Sequence, residues 1–136
     1  MDFSTSMKVA AAGLKAQSDR MKTIAENLAN ANSASSTAGG EPYRRKIPTI
    51  SSSFDRELNA EVVKSGRPVG DTSDFRMQYD PGNPLADKQG YVKLPNVNSL
   101  VEIMDMREAQ RSYEANLTVI DATKAMLART VDLLKK

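Results

Sequence analysis

Two stretches of the chain carry a helical alternation of apolar and polar positions, and the stretch between them does not. Near the start, Phe3, Met7, Ala10, Leu14, Gln17, Met21, Ile24, Leu28 and Ala31 recur in steps of four and three. That spacing is a heptad seam with one polar member, Gln17. It predicts a helix from about residue 3 to about residue 30. Gly13 lies within it, where glycine costs up to about 1 kcal/mol relative to alanine; close approach of a neighbouring backbone would account for it. At the other end, Met106, Gln110, Tyr113, Leu117, Ile120, Lys124, Leu127, Val131 and Leu134 repeat the same steps. They predict a second helix over 99–134, on the order of 54 Å long at about 1.5 Å per residue. Ser99 and Glu102 have capping-box spacing, with Asn98 the alternative cap. Lys135 and Lys136 suit the negative end of the helix dipole.

Two long helices with narrow seams are expected to pair as a coiled coil. The fold class read from this pattern is mainly α, with the paired terminal helices interrupted by a short β-rich or irregular middle. Residues 1–31 and 97–136 would form the helical domain and 32–96 the middle segment. The seam residues expected to carry assembly are Met7, Leu14, Met21, Ile24 and Leu28 on the first helix. On the second they are Tyr113, Leu117, Ile120, Leu127, Val131 and Leu134. Alanines off the seam, among them Ala11, Ala12, Ala109 and Ala122, would let further helices approach closely.

The middle is marked by its helix breakers. All six prolines lie between residues 42 and 95, and six of the seven glycines between 39 and 90. Strand candidates are 43–50, broken by Pro48, and the pair 75–79 and 91–94. Between that pair, Asp80-Pro81-Gly82-Asn83 reads as a type II turn, with Gly82 supplying positive φ. Pro84 biases Asn83 towards extended geometry. The stretch 32–40 (NSASSTAGG) reads as a flexible loop and 57–73 as an exposed excursion. The turn-rich passage 78–97 is expected to act as a rigid elbow ahead of the second helix.

Composition narrows the function. Of 136 residues, 40% are hydrophobic, and seven are aromatic with no tryptophan. Such a core would be thin in large side chains, which suits an elongated chain or one completed by partners. Nineteen basic and 17 acidic residues give a net charge of +2, too balanced to argue for nucleic acid or an acidic membrane surface. The first residues lack a basic segment followed by an apolar core, so no Sec signal peptide is expected. With no cysteine, no disulfide is available.

Reactive chemistry is sparse. The absence of histidine removes the usual general base and most zinc sites. Asp80, Asn83 and Asp87 do not have calcium-loop spacing, and Gly39-Gly40 lacks the lysine and hydroxyl of a phosphate loop. No catalytic residue, cofactor, metal or small-molecule substrate is expected. Arg44-Arg45-Lys46 is either a solvated strand edge or an interface with an acidic partner. The methionines mostly fall at helical spacing and read as core filling.

Three stretches carry a family resemblance that spans nearly the whole chain. AENLANANS (25–33) resembles the asparagine-rich signature of bacterial flagellar axial proteins of the rod and hook. YDPGNPLADKQGYVKLPNV (79–97) resembles the proximal-rod, FlgC-type, subunits of that family. RSYEANL (111–117) is similar to it as well. The motif residues are Asn27, Asn30, Pro81, Gly82, Asn83, Pro84 and Gly90. The charged stretch 57–74 departs from the pattern.

The resemblance implies a structural subunit that polymerises helically, transmits motor torque and surrounds an export channel. Implied partners are copies of itself, other rod subunits, a rod-to-membrane-ring adaptor and the flagellar type III export apparatus. The implied location is the periplasmic rod of the basal body, reached without a cleavable signal. Phe3 and Met7 have the spacing of an export-gate contact in rod and hook subunits, and they also form the first turn of the seam. Asn27 and Asn30, three apart, would cap carbonyls or hydrogen-bond across subunits. The competing readings are a self-contained helical-hairpin adaptor, which would be ordered alone, and a wall hydrolase, which would turn over peptidoglycan.

Overall fold

A computed structural model describes residues 2–136. The order of elements is α1 (Phe3–Ala29), β1 (Lys46–Ile47), β2 (Ile50–Asp55), β3 (Ala60–Ser65), β4 (Val69–Gly70), β5 (Arg76–Tyr79), β6 (Tyr91–Leu94) and α2 (Ser99–Leu134). The strands form three separate antiparallel ribbons, β1 with β4, β2 with β3 and β5 with β6. The chain divides into two compact units. The first runs from the N-terminus to Met21 and adds Thr49–Arg67 and Arg107–Lys136; the second comprises Lys22–Pro48 and Pro68–Met106.

Both helices begin with a capping side chain. Asp2 accepts a hydrogen bond from the Thr5 amide at 2.6 Å. Asn98, rather than the Ser99 and Glu102 pair, caps α2: its side-chain oxygen accepts from the amides of Leu100 and Val101 at 3.1 and 3.4 Å. Glu102 is committed elsewhere, as described below.

In the first unit the β2–β3 hairpin is closed at its tip by Asp55, whose carboxylate accepts from the amides of Glu57 and Leu58 at 2.9 and 3.2 Å. Asn59 then adopts φ +47°, a left-handed conformation that asparagine tolerates. Along β3, Ala60 and Val62 are buried with Glu61 exposed between them, the period-two alternation of a half-covered strand, which ends at the exposed Lys64. Ser65 donates to the Asp19 carboxylate and so ties the hairpin to α1. The buried positions on the helices of this unit are small or polar: Ala10, Gly13 and Ala16 on α1, Ala109 and Thr123 on α2. A Cβ placed on Gly13 would come within 2.9 Å of the Asn116 side chain.

The second unit holds the larger buried side chains, Ile24, Val97 and Pro95, together with Asn27 and Glu102. Its β5–β6 ribbon pairs Tyr79 with Tyr91, whose rings meet edge to face at 5.2 Å.

The coiled-coil expectation is not met. The predicted seam positions Leu117, Leu127, Val131 and Leu134 are 43%, 43%, 42% and 82% exposed, so no partner helix in the chain covers them. The buried stripe of α2 instead follows Glu102, Ala109 and Thr123, with Met106, Tyr113, Asn116 and Ile120 half-buried. It is displaced by one residue from the apolar seam at alternate steps. The chain is therefore not a helical pair with a minor insertion: two long helices accompany a middle of six strands.

Two local expectations also change. The 57–73 stretch contributes β3 and β4 rather than a simple excursion. The turn after β5 closes with the Asn83 amide donating to the Asp80 carbonyl at 3.1 Å, but Gly82 does not take positive φ, so the turn is not type II. Gly90 does, at φ +87°. A Cβ there would meet the Tyr79 ring at 2.9 Å.

Candidate assembly site

Asn27, from the asparagine-rich motif, sits at the centre of a buried polar node within the second unit. It has no exposed surface, and both ends of its amide are used. Its NH2 donates to the Lys46 carbonyl at 2.8 Å and to the Glu102 carboxylate at 3.2 Å. Its oxygen accepts from the Lys46 amide at 2.9 Å and the Tyr43 hydroxyl at 2.8 Å. The side chain thus pairs with the backbone of Lys46 as a strand would. These bonds exhaust the capacity of the amide, so Asn27 has nothing left for a bond across subunits.

Glu102 is also fully buried. Its charge is balanced by the Nε of Arg45, whose guanidinium also reaches Asp71 at 3.2 Å and Asp105 at 3.8 Å. Burial works against the charge on Arg45, but its hydrogen bonds and charge pairing with Glu102 and Asp71 together outweigh this and raise its pKa above the ordinary value. Burial likewise raises Tyr43. Asn96 completes the frame. Its oxygen accepts from the Arg45 amide at 2.7 Å, and its NH2 donates to the carbonyls of Asp71 and Ser73 at 3.1 Å. A buried ion pair of this kind is costly to break from one side, because the remaining charge is stranded.

The basic run 44–46 is absorbed by the chain itself. Arg44 stacks over the Phe75 ring at 4.3 Å, Arg45 holds Glu102, and Lys46 pairs with Glu26 at 3.0 Å. Arg44 and Arg45 are half-buried, and Lys46 stays exposed on the short β1 strand.

Asn30 ends the first helix. Its NH2 donates to the Glu26 carbonyl at 2.8 Å, and its oxygen accepts from Ser33 at 3.2 Å. Just beyond, Arg76 donates to the carbonyls of Ala31 at 2.9 Å and Pro95 at 3.0 Å, a link that sequence patterning did not suggest. The turn motif is held by its own side chains. Asn83 Oδ1 accepts from the Leu85 amide at 2.9 Å, and Asp87 from the amides of Gln89 and Tyr91 at 2.8 and 2.9 Å. These bonds, that from Tyr91 foremost, hold the Asp87 carboxyl below the usual carboxylate range. Pro81 lies against Gly90, whose Cβ would come within 3.1 Å of its ring; Gly82 and Pro84 occupy the turn itself.

The predicted seam divides. Ile24 is fully buried. Met7, Leu14, Met21, Leu28, Tyr113 and Ile120 are half-buried, and Leu117, Leu127, Val131 and Leu134 are exposed. Phe3 is 37% exposed at the start of α1. The exposed members leave an apolar stripe along α2, and Met126 and Leu133 are exposed on another side of the helix.

Comparison with known proteins follows the same division. Residues 7–34, which hold the α1 seam from Met7 onward and both motif asparagines, match the family described as flagella basal body rod protein. Residues 88–133, which hold Gly90, β6 and most of α2, match the family described as flagellar basal body rod FlgEFG protein C-terminal. The chain is 51% identical over 133 residues to the flagellar basal-body rod protein FlgC of Agrobacterium fabrum, covering 98% of this chain and 96% of that protein. It is 40% identical over 135 residues to FlgC of Aquifex aeolicus, covering 99% of each. Against FlgC of Escherichia coli O157:H7 the identity is 38% over 125 residues, covering 92% of each. With such identity along nearly its whole length, the chain belongs to the FlgC family of flagellar basal-body rod proteins.

Proposed function

We infer that this chain is a structural subunit of the bacterial flagellar basal-body rod. Subunits polymerise helically into a shaft that transmits torque and encloses the export channel. Family membership supports the role, and one structural observation supports the mechanism: the apolar stripe of α2 is exposed in the single chain. Fully burying a leucine or valine side chain contributes about 1.5–3 kcal/mol. A stripe of this length left in water therefore favours assembly. In the assembly, residues 1–31 and 97–136 line the tube, and the 78–97 passage acts as the stiff elbow leading into α2. The contact is heterologous, with unlike patches meeting, because that geometry propagates into a filament.

The partners are copies of this chain, other rod subunits and the adaptor that joins rod to membrane ring. The subunit is delivered to the periplasmic rod by the flagellar export apparatus. Phe3, partly exposed and one turn from Met7, is the candidate contact with the export gate. Deletion of the chain should leave basal bodies without a complete rod, seen by electron microscopy; intact rods in the deletion strain would overturn the reading. Phe3→Ala should lower the amount secreted while leaving helicity by circular dichroism unchanged, and equal secretion would remove the gate role.

A further inference from the structure

The first unit carries an open groove of about 300 Å³ between α1 and β3. Ala12, Ala16 and Val63 make it apolar, and Lys15 and Lys64 also line it. Both lysines are exposed. The bond from Ser65 to Asp19 fixes one wall to the other. On α2 of the same unit, Leu117 is 43% exposed, and Glu114 and Asp121 beside it are exposed too. Positions i, i+3 and i+7 fall on one helix face, so this face presents an apolar centre with a carboxylate on either side, about 10 Å apart along the axis. Among the described residues, none of these four charges takes part in an ion pair.

We propose that the groove receives the Glu114–Leu117–Asp121 face of α2 from a second copy of this chain. Leu117 enters over Ala12, Ala16 and Val63, and the two carboxylates meet Lys15 and Lys64. The groove and the α2 face are different patches on one subunit, so each copy offers both and the contact repeats. The charges select the occupant. A purely apolar helix would leave both lysines against a dry surface, and a basic one would be repelled. The inference rests on the reading of the chain as a polymerising subunit and names the contact it uses.

Charge reversal in the full-length chain tests it, with self-association followed by sedimentation. Lys15→Glu with Lys64→Glu, and separately Glu114→Lys with Asp121→Lys, should each weaken self-association about tenfold as attractive pairs become repulsive. Mixing the two variants should restore it, because the groove of either then matches the α2 face of the other. In assembled basal bodies, Lys64→Cys with Asp121→Cys should give an oxidant-dependent dimer band; the parent chain has no cysteine to obscure it. Parental self-association in both reversed variants, or a mixture no stronger than either alone, would overturn the proposal. So would absence of the dimer band, or reversal that weakens binding to another rod subunit while self-association is unchanged. The two readings fail separately: unaltered rods built from the Lys15→Glu, Lys64→Glu variant sink only the groove, whereas basal bodies lacking the chain sink the rod assignment.

Discussion

The two ends of α2 differ in what they cover. As far as Thr123 the helix buries Glu102, Ala109 and Thr123, whereas one turn further along the same side Leu127 is exposed, as are Val131 and Leu134 beyond it. In most domains charged residues stay outside and the large aliphatic ones go in. Here the inward polar groups are matched one by one: Glu102 to Arg45 and Asn27, and Thr123 to the Val119 carbonyl at 2.8 Å. Such pairing is directional and fixes one arrangement. The outward apolar stripe has no directional partner, and a continuous stripe of this kind marks an interaction surface. The chain thus uses polar specificity for its own fold and keeps its hydrophobic surface for others.

The inner half of that contrast breaks most severely at Glu102. Glu102→Ala leaves the Arg45 guanidinium without its buried carboxylate and removes a partner of Asn27. Stability should fall by about 3–5 kcal/mol, towards the low end because Arg45 retains some water. A urea midpoint reads this directly. Glu102→Gln keeps the shape and should cost less, and an unchanged midpoint for the alanine variant would show that the node does not hold the fold. Gly90→Ala comes next. Its φ of +87° and the 2.9 Å approach to Tyr79 leave no room for a methyl group. About 1–3 kcal/mol should be lost, with β5–β6 amides exchanging faster than those of β2–β3.

The sequence shows why one half of the contrast was legible and the other not. The boundaries of α1 and α2 follow from breaker-free stretches, and the β5–β6 ribbon from two short runs around a Pro/Gly turn. The heptad arithmetic found the apolar stripe of α2 but assigned it an intrachain partner. Periodicity reports which face is sticky, not what covers it. The buried positions off the seam read as noise, because Gly13 and Ala16 on α1 and Thr123 on α2 carry no hydrophobic signal. The β2–β3 hairpin was hidden for a related reason: Ser53 stands opposite Val62, so only one strand of the pair shows alternation. Asn27 could be singled out as a motif residue, but its four bonds depend on Tyr43, Lys46 and Glu102 arriving from elsewhere in the chain.

Acid should weaken the second unit gently. Asp87 and Asp71 both have carboxyls held below the ordinary range, Asp87 chiefly by the Tyr91 amide and Asp71 chiefly by the Ser73 amide. A depressed folded-state pKa means the stabilisation is complete above the unfolded value, about 3.9 for aspartate. It is lost as pH falls on through the folded value. The unfolding midpoint should therefore stay level from neutrality to about pH 5 and decline below about pH 4. Asp87→Asn should flatten that decline; an identical acid limb in parent and variant would show that the carboxylate contributes nothing to the loop.

The smallest expected effect on the chain is the most informative about its exterior. Leu127 is 43% exposed, so Leu127→Asp removes little packing and should change stability by less than about 1 kcal/mol, mostly through helix propensity. Under the assembly reading the same position is dry in the rod, where an unpaired carboxylate costs several kcal/mol at every repeat of the contact. The variant should fold, be secreted and fail to build a rod. Ile120→Asp is a poorer probe, because Ile120 is already half-buried and its loss would confuse folding with assembly. If cells carrying Leu127→Asp swim normally, the exposed stripe is not what subunits share, and the contrast between the two ends of α2 must have another cause.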